Sequence, residues 1–148
     1  MTPLERYIDL FEHLTPADIE RFESYFAARA RFQDPFNDVT GITAIQQVFR
    51  HMFATLEQPA FTVTHAAQTG LDAFLRWQFE FRLRGRHRQI IGVSHVAFDT
   101  DERVAAHIDY WDPAAQLYEQ LPLLGPLLRG IKHKLAATPS ANPSRPAR

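Results

Sequence analysis

The chain has 148 residues, 45% of them hydrophobic and 22% charged, with a formal net charge of −1 and no cysteine. That length and balance describe one globular domain with a buried core, and they exclude disulfides, thiolate zinc sites, cysteine nucleophiles and the basic footprint of a nucleic-acid binder. No apolar run approaches the ~18 residues of a membrane span. The opening "MTPLERYIDLFEHL" lacks the basic start and apolar core of a secretory signal, so the expected compartment is the cytoplasm.

Thr2-Pro3 and Thr15-Pro16 each announce a helix, with a hydroxyl N-cap and a proline at the first helical position. Leu4, Tyr7, Ile8, Phe11 and Leu14 make the apolar stripe of the first helix, and Ile19, Phe22 and Phe26 that of the second. A short strand is expected in "ARFQD", broken where Asp34 meets Pro35. Beyond the turn "NDVTG", a third helix carries Ile45, Val48, Phe49, Met52, Phe53 and Leu56 on one face. Four segments of period two follow, in "FTVTHAAQT", in Ala73 to Arg84, in "QIIGVSHVAF" and in "RVAAHIDYWD". The clearest puts Leu75, Trp77, Phe79, Phe81 and Leu83 on one face and Arg76, Gln78, Glu80, Arg82 and Arg84 on the other. The expected fold is α+β: a bent, cone-shaped antiparallel sheet with three N-terminal helices on one face, in the order α-α-β-α-β-β-β-β-α.

The domain is expected to span residues 1–135. Its last part, Leu117 to Leu135, is apolar and then basic, and prolines break it into one interrupted helix or two short ones. Residues 136–148 form a Pro/Ser/Ala tail expected to be disordered. Residues 113–148 hold one acid, Glu119, against five basic side chains. This end is read as a solvated face, with contact to an anionic or lipid surface as the weaker alternative.

The richest chemistry lies in "AHIDYWDP", Ala106 to Pro113. Strand alternation sets His107, Asp109 and Trp111 on one face and Ile108 and Tyr110 on the other. If the first face lines the cone, a carboxylate, an imidazole and an indole share an apolar cavity in which Asp109 is a candidate proton acceptor. The other face leaves Ile108 and Tyr110 outside, along with Ile91 and Val93, which predicts a homodimer through the outer sheet face. His95 points away from any pocket that Ser94 lines, so no metal is expected, and the absence of a glycine-rich phosphate loop gives no reason to expect a cofactor. By local chemistry Asp34 caps a turn before the third helix, and Tyr7 is a core tyrosine of its helix stripe.

Three stretches, "ERYIDLFE", "FQDPFNDVTGITAI" and "HIDYWD", resemble the nuclear transport factor 2-like superfamily, which includes ketosteroid isomerase, limonene epoxide hydrolase and the SnoaL-like polyketide cyclases. The resemblance spans residues 4–120. It implies Tyr7 as a donor to a developing enolate, Asp34 as general base, and Ser94 in the place of a second, carboxylic donor. It also implies Asp109 as the acid–base residue of the cyclase branch. The Arg and second Asp of the epoxide hydrolase pattern would fall near Gly92 and Ser94, which argues against that activity. The function so implied is binding of a small apolar carbonyl compound, with His107, Trp77, Trp111, Phe49 and Phe53 around it, and isomerase- or cyclase-type proton transfer. The alternative is a ligand-binding or dimeric association module without chemistry.

Overall fold

Thr2 opens helix α1 (Pro3–Glu12) with a reciprocal cap. Its hydroxyl accepts from the Glu5 N–H at 3.1 Å, and the Glu5 carboxylate accepts from the Thr2 N–H at 2.7 Å. The computed structural model describes residues 1–117 and 125–135, and the chain divides into two compact units, Met1–Asp112 and Pro113–Arg148.

Thr15 starts α2 differently, its N–H and its hydroxyl both donating to the Asp18 carboxylate at 2.8 and 2.7 Å, and α2 (Pro16–Ile19) is a single turn. The chain then makes a 3₁₀ turn at Phe22–Ser24 and enters β1 (Phe26–Gln33). The helical spacing of Ile19, Phe22 and Phe26 therefore does not belong to one helix. All three are buried, because Phe26 pairs with Val104 in the sheet while the 3₁₀ turn keeps Phe22 inward. β1 also begins earlier than "ARFQD", and β2 (Asp38–Thr40) pairs with it antiparallel where the sequence suggested only a turn. Helix α3 (Ile42–Thr55) leaves Gly41, whose φ of 98° favours glycine, and buries Ile45 and Phe49.

The meander is as expected in order: β3 (Glu57–Thr69), β4 (Asp72–Leu83), β5 (Arg86–Phe98) and β6 (Val104–Tyr110) are joined by antiparallel ladders. β1 adds to β6 in parallel, so the whole is a mixed, open six-stranded sheet in the order β2-β1-β6-β5-β4-β3. This is the α+β cone, with one parallel pair in place of a purely antiparallel sheet. The register of β3 shifts between Val63 and His65, a break that bends a strand, and the Glu12 carboxylate at the end of α1 accepts from the Val63 N–H at 3.0 Å.

The inner face carries Leu75, Trp77, Phe79 and Phe81 from β4 and Ile90, Val96 and Phe98 from β5, all buried with Tyr7, Phe11, Phe26, Phe32 and Phe49. In the second unit, α4 (Pro113–Gln116) and α5 (Gly125–Leu135) are helical. Part of the stretch Leu117 to Leu135, residues 118–124, and the tail 136–148 lie outside the described residues. Among the described residues no helix is long and apolar enough to cross a membrane.

Candidate functional site

The ladder between β5 and β6 sets Ser94 opposite Asp109, and the ladder between β4 and β5 sets Trp77 opposite Gly92. From these positions one chain of hydrogen bonds crosses the inner face. The Trp77 indole N–H donates to Ser94 Oγ at 2.8 Å, and the Ser94 hydroxyl donates to Asp109 Oδ1 at 2.5 Å. His107 Nε2 meets the same Oδ1 at 2.7 Å, and His107 Nδ1 meets the Tyr7 hydroxyl of α1 at 2.7 Å. Two residues apart on one strand, His107 and Asp109 share a face as alternation requires.

The surroundings are aromatic. Phe32 stacks on the His107 imidazole at 4.9 Å between centroids, and Phe11 lies at 5.7 Å. The Tyr7 ring meets Phe11, Phe26 and Phe98 edge-on. Burial pushes the Tyr7 hydroxyl well above its ordinary range, and the Asp109 charge adds to the shift, because both disfavour a phenolate. Tyr7 and Ser94 are each 1% exposed, while the Asp109 side chain keeps 16% of its surface. Asp109 is therefore the most exposed member of the network and lies at its middle, between His107 and Ser94, with Tyr7 and Trp77 at the two buried ends.

Gly92 is a part of this site for which periodicity carries no signal. A Cβ at 92 would come within 2.5 Å of Trp77 Cη2 and Cζ2 and 3.1 Å of the Tyr110 carbonyl oxygen. The indole lies over the bare glycine and so reaches Ser94. The cue available in the sequence is a glycine inside an apolar strand, which marks close approach.

Asp34 does not join the hydrogen-bonded chain. Its Oδ1 accepts from the Phe36 and Asn37 N–H groups at 2.8 and 2.7 Å, and the Asn37 side chain donates to it at 3.1 Å, closing the turn between β1 and β2. It follows Gln33, which pairs with Ile108, so it sits at the same end of the sheet as Asp109. There Phe36 and Trp111 form an edge-to-face pair at 5.6 Å. Phe49 is packed in the core against Phe11, Phe22 and Phe32, and Phe53 is half-buried beside it. His95 pairs with Asp72 at 2.7 Å on the outer face, stacked on Phe74. Among the described residues no group of three or more His, Asp or Glu side chains converges as metal ligands.

A model of the SnoaL-like domain family matches residues 4–107. The chain belongs to this family. No curated protein matches it. Solved structures share the fold of this SnoaL-like chain. One is a protein of ketosteroid isomerase-like fold from Catenulispora acidiphila, in complex with trimethylamine, at 15% identity and a TM-score of 0.67, with 79% of this chain and 92% of that one covered. Another is a protein assigned as a SnoaL-like polyketide cyclase from Shewanella putrefaciens, at 18% identity and a TM-score of 0.65, with 80% and 95% covered. TsrD from Streptomyces laurentii aligns at 20% identity and a TM-score of 0.66, with 82% and 93% covered.

Proposed function

We propose that this SnoaL-like protein binds a small apolar carbonyl compound against the inner face of the cone and moves a proton on it, as an isomerase or cyclase does, with Asp109 as the base. The observation that carries this reading is the Tyr7–His107–Asp109–Ser94–Trp77 chain of bonds, set in aromatic surroundings with its most exposed member a carboxylate. Removing water from such a site strengthens its electrostatics, and a positioned carboxylate is one of the side chains that serve as a general base. Asp34, at the same end of the sheet, is already engaged by a turn, which favours Asp109 over it. Trp111, Phe53 and Trp77 are the expected apolar contacts, and the ligand needs no metal or cofactor in this reading.

A second reading, a binding or association module without chemistry, draws on a different feature. Apart from Asp109 Oδ2, each polar group of the chain of bonds finds its partner in another, so the network holds together without a ligand. In either reading the outer sheet face is proposed to join two copies into a homodimer.

A thermal-shift screen of hydrophobic ketones and enones tests the reading, because a ligand at about 100 times its Kd adds ~2.7 kcal/mol of stability. Hits should be followed for exchange of the hydrogens next to their carbonyl in deuterated water. Binding with exchange that Asp109→Asn abolishes is the expected outcome. Binding without exchange favours the module, and a flat screen refutes the ligand.

A further inference from the structure

The chain of bonds has a direction, and its two ends set it. An indole N–H can only donate, so Ser94 Oγ is the acceptor at the 2.8 Å contact, and the single hydrogen of the Ser94 hydroxyl is left for Asp109 Oδ1. At the other end, the buried Tyr7 hydroxyl keeps its proton, and among the described residues its only polar partner is His107 Nδ1. Were His107 doubly protonated, both ring nitrogens would donate. The Tyr7 hydrogen would then be stranded among Phe11, Phe26 and Phe98.

We propose that Trp77 and Tyr7 are positioning residues that make this a one-way donor chain. Trp77 donates to Ser94 and Ser94 to Asp109, while Tyr7 donates to His107 and His107 to Asp109. His107 is thereby held as the neutral tautomer with its proton on Nε2. It cannot serve as the base, since its one lone pair is engaged by Tyr7. Asp109 is the sole proton sink: Oδ1 takes both internal bonds, and Oδ2 takes neither. The catalytic consequence rests on the proton transfer proposed above. A C–H bond beside the ligand carbonyl breaks, its electron pair moves onto the carbonyl oxygen, and its proton passes to Oδ2, to be returned at another carbon. Gly92 belongs to the device because only a residue without Cβ leaves room for the indole to reach Ser94.

The test uses ¹⁵N-labelled, ligand-free protein, so it is independent of whether any ligand is found. Long-range ¹H–¹⁵N spectra at pH 7.5 should show His107 with a protonated Nε2 and a bare Nδ1 that accepts a hydrogen bond. In Tyr7→Phe the Nδ1 resonance should move toward that of an unbonded nitrogen. In Trp77→Phe, and in Ser94→Ala, which keeps the indole, the Nε2 resonance should move, because the competing donor on Oδ1 has been released or removed. If Trp77 only fills space, both His107 nitrogens stay where they are in Trp77→Phe, while Ser94→Ala still moves Nε2. A proton on Nδ1 alone, an imidazolium, or unmoved nitrogens in either Trp77→Phe or Ser94→Ala would overturn the one-way chain. The wild-type tautomer decides the first two outcomes even if a variant folds poorly. A flat ligand screen beside a confirmed tautomer would sink the proposed function and leave this assignment standing.

Discussion

Asp109 accepts two short hydrogen bonds on one oxygen, and the carboxylate charge strengthens both. Asp109→Asn retains an oxygen for Ser94 and His107 but removes that charge. Urea melts at pH 7 should show a loss of about 1–2 kcal/mol with an unchanged m-value; a variant as stable as wild type would mean that the two short contacts contribute nothing. Gly92→Ala is expected to cost more than its single methyl suggests. Its Cβ lands on the indole, so either the strand or Trp77 must move, at about 1–3 kcal/mol, and Trp77 emission should shift as the ring loses Ser94. Wild-type stability with unshifted emission would show that the cradle has slack. At this scale His107, Asp109 and Trp77 stand out by chemistry and alternation, whereas Tyr7 and Ser94 draw notice only through the family resemblance. Their partnerships were not legible. Ser94 resembles a donor to a ligand, yet its hydroxyl is engaged by Asp109, because that pairing depends on the β5–β6 register, which links residues fifteen apart.

Elements were legible where one period ran long enough. The alternation of β4 and the stripe of α3 read correctly, whereas the second helix was misjudged because its spacing continued past the point where β1 pairing takes over. β1 and β2 depend on partners distant in sequence, and no local pattern encodes a parallel pairing with β6. The turn joining β1 and β2 offers a test at this scale. Asparagine makes the same side-chain turn as aspartate, so Asp34→Asn should change stability by less than ~0.5 kcal/mol. Asp34→Ala strips the acceptor from the Phe36 and Asn37 N–H groups and should cost about 1 kcal/mol. The pair also separates structure from chemistry. Should Asp34→Asn fold normally yet abolish hydrogen exchange on a bound ketone, the base would be Asp34 rather than Asp109.

For the molecule as a whole, the buried phenol couples folding to alkaline pH. In the unfolded chain Tyr7 ionises near its ordinary 10.0, whereas the folded protein holds the proton to higher pH. Above pH 10 the unfolded state therefore binds fewer protons than the folded one, and stability falls as pH rises, by up to ~1.4 kcal/mol per unit until the folded group ionises. Below pH 10 this contribution is fully present. Urea melts from pH 9 to 11 should show a steeper decline in wild type than in Tyr7→Phe, and parallel slopes would count against the coupling. The sheet makes a second demand at this scale. Phe74, Ile91, Val93 and Tyr110 are 44%, 36%, 38% and 59% exposed on the outer face, and Val93 pairs with Tyr110 across the ladder, so the apolar surface is one band. A band of this kind is expected to be covered, and a second copy related by a two-fold axis would set it against itself. Val93→Glu then places two like charges across that axis while touching nothing in the core. Sedimentation should find wild type as a dimer at micromolar concentration and Val93→Glu as a folded monomer. A wild type that sediments as a monomer would mean that the outer face meets only water, and the dimer reading would fall.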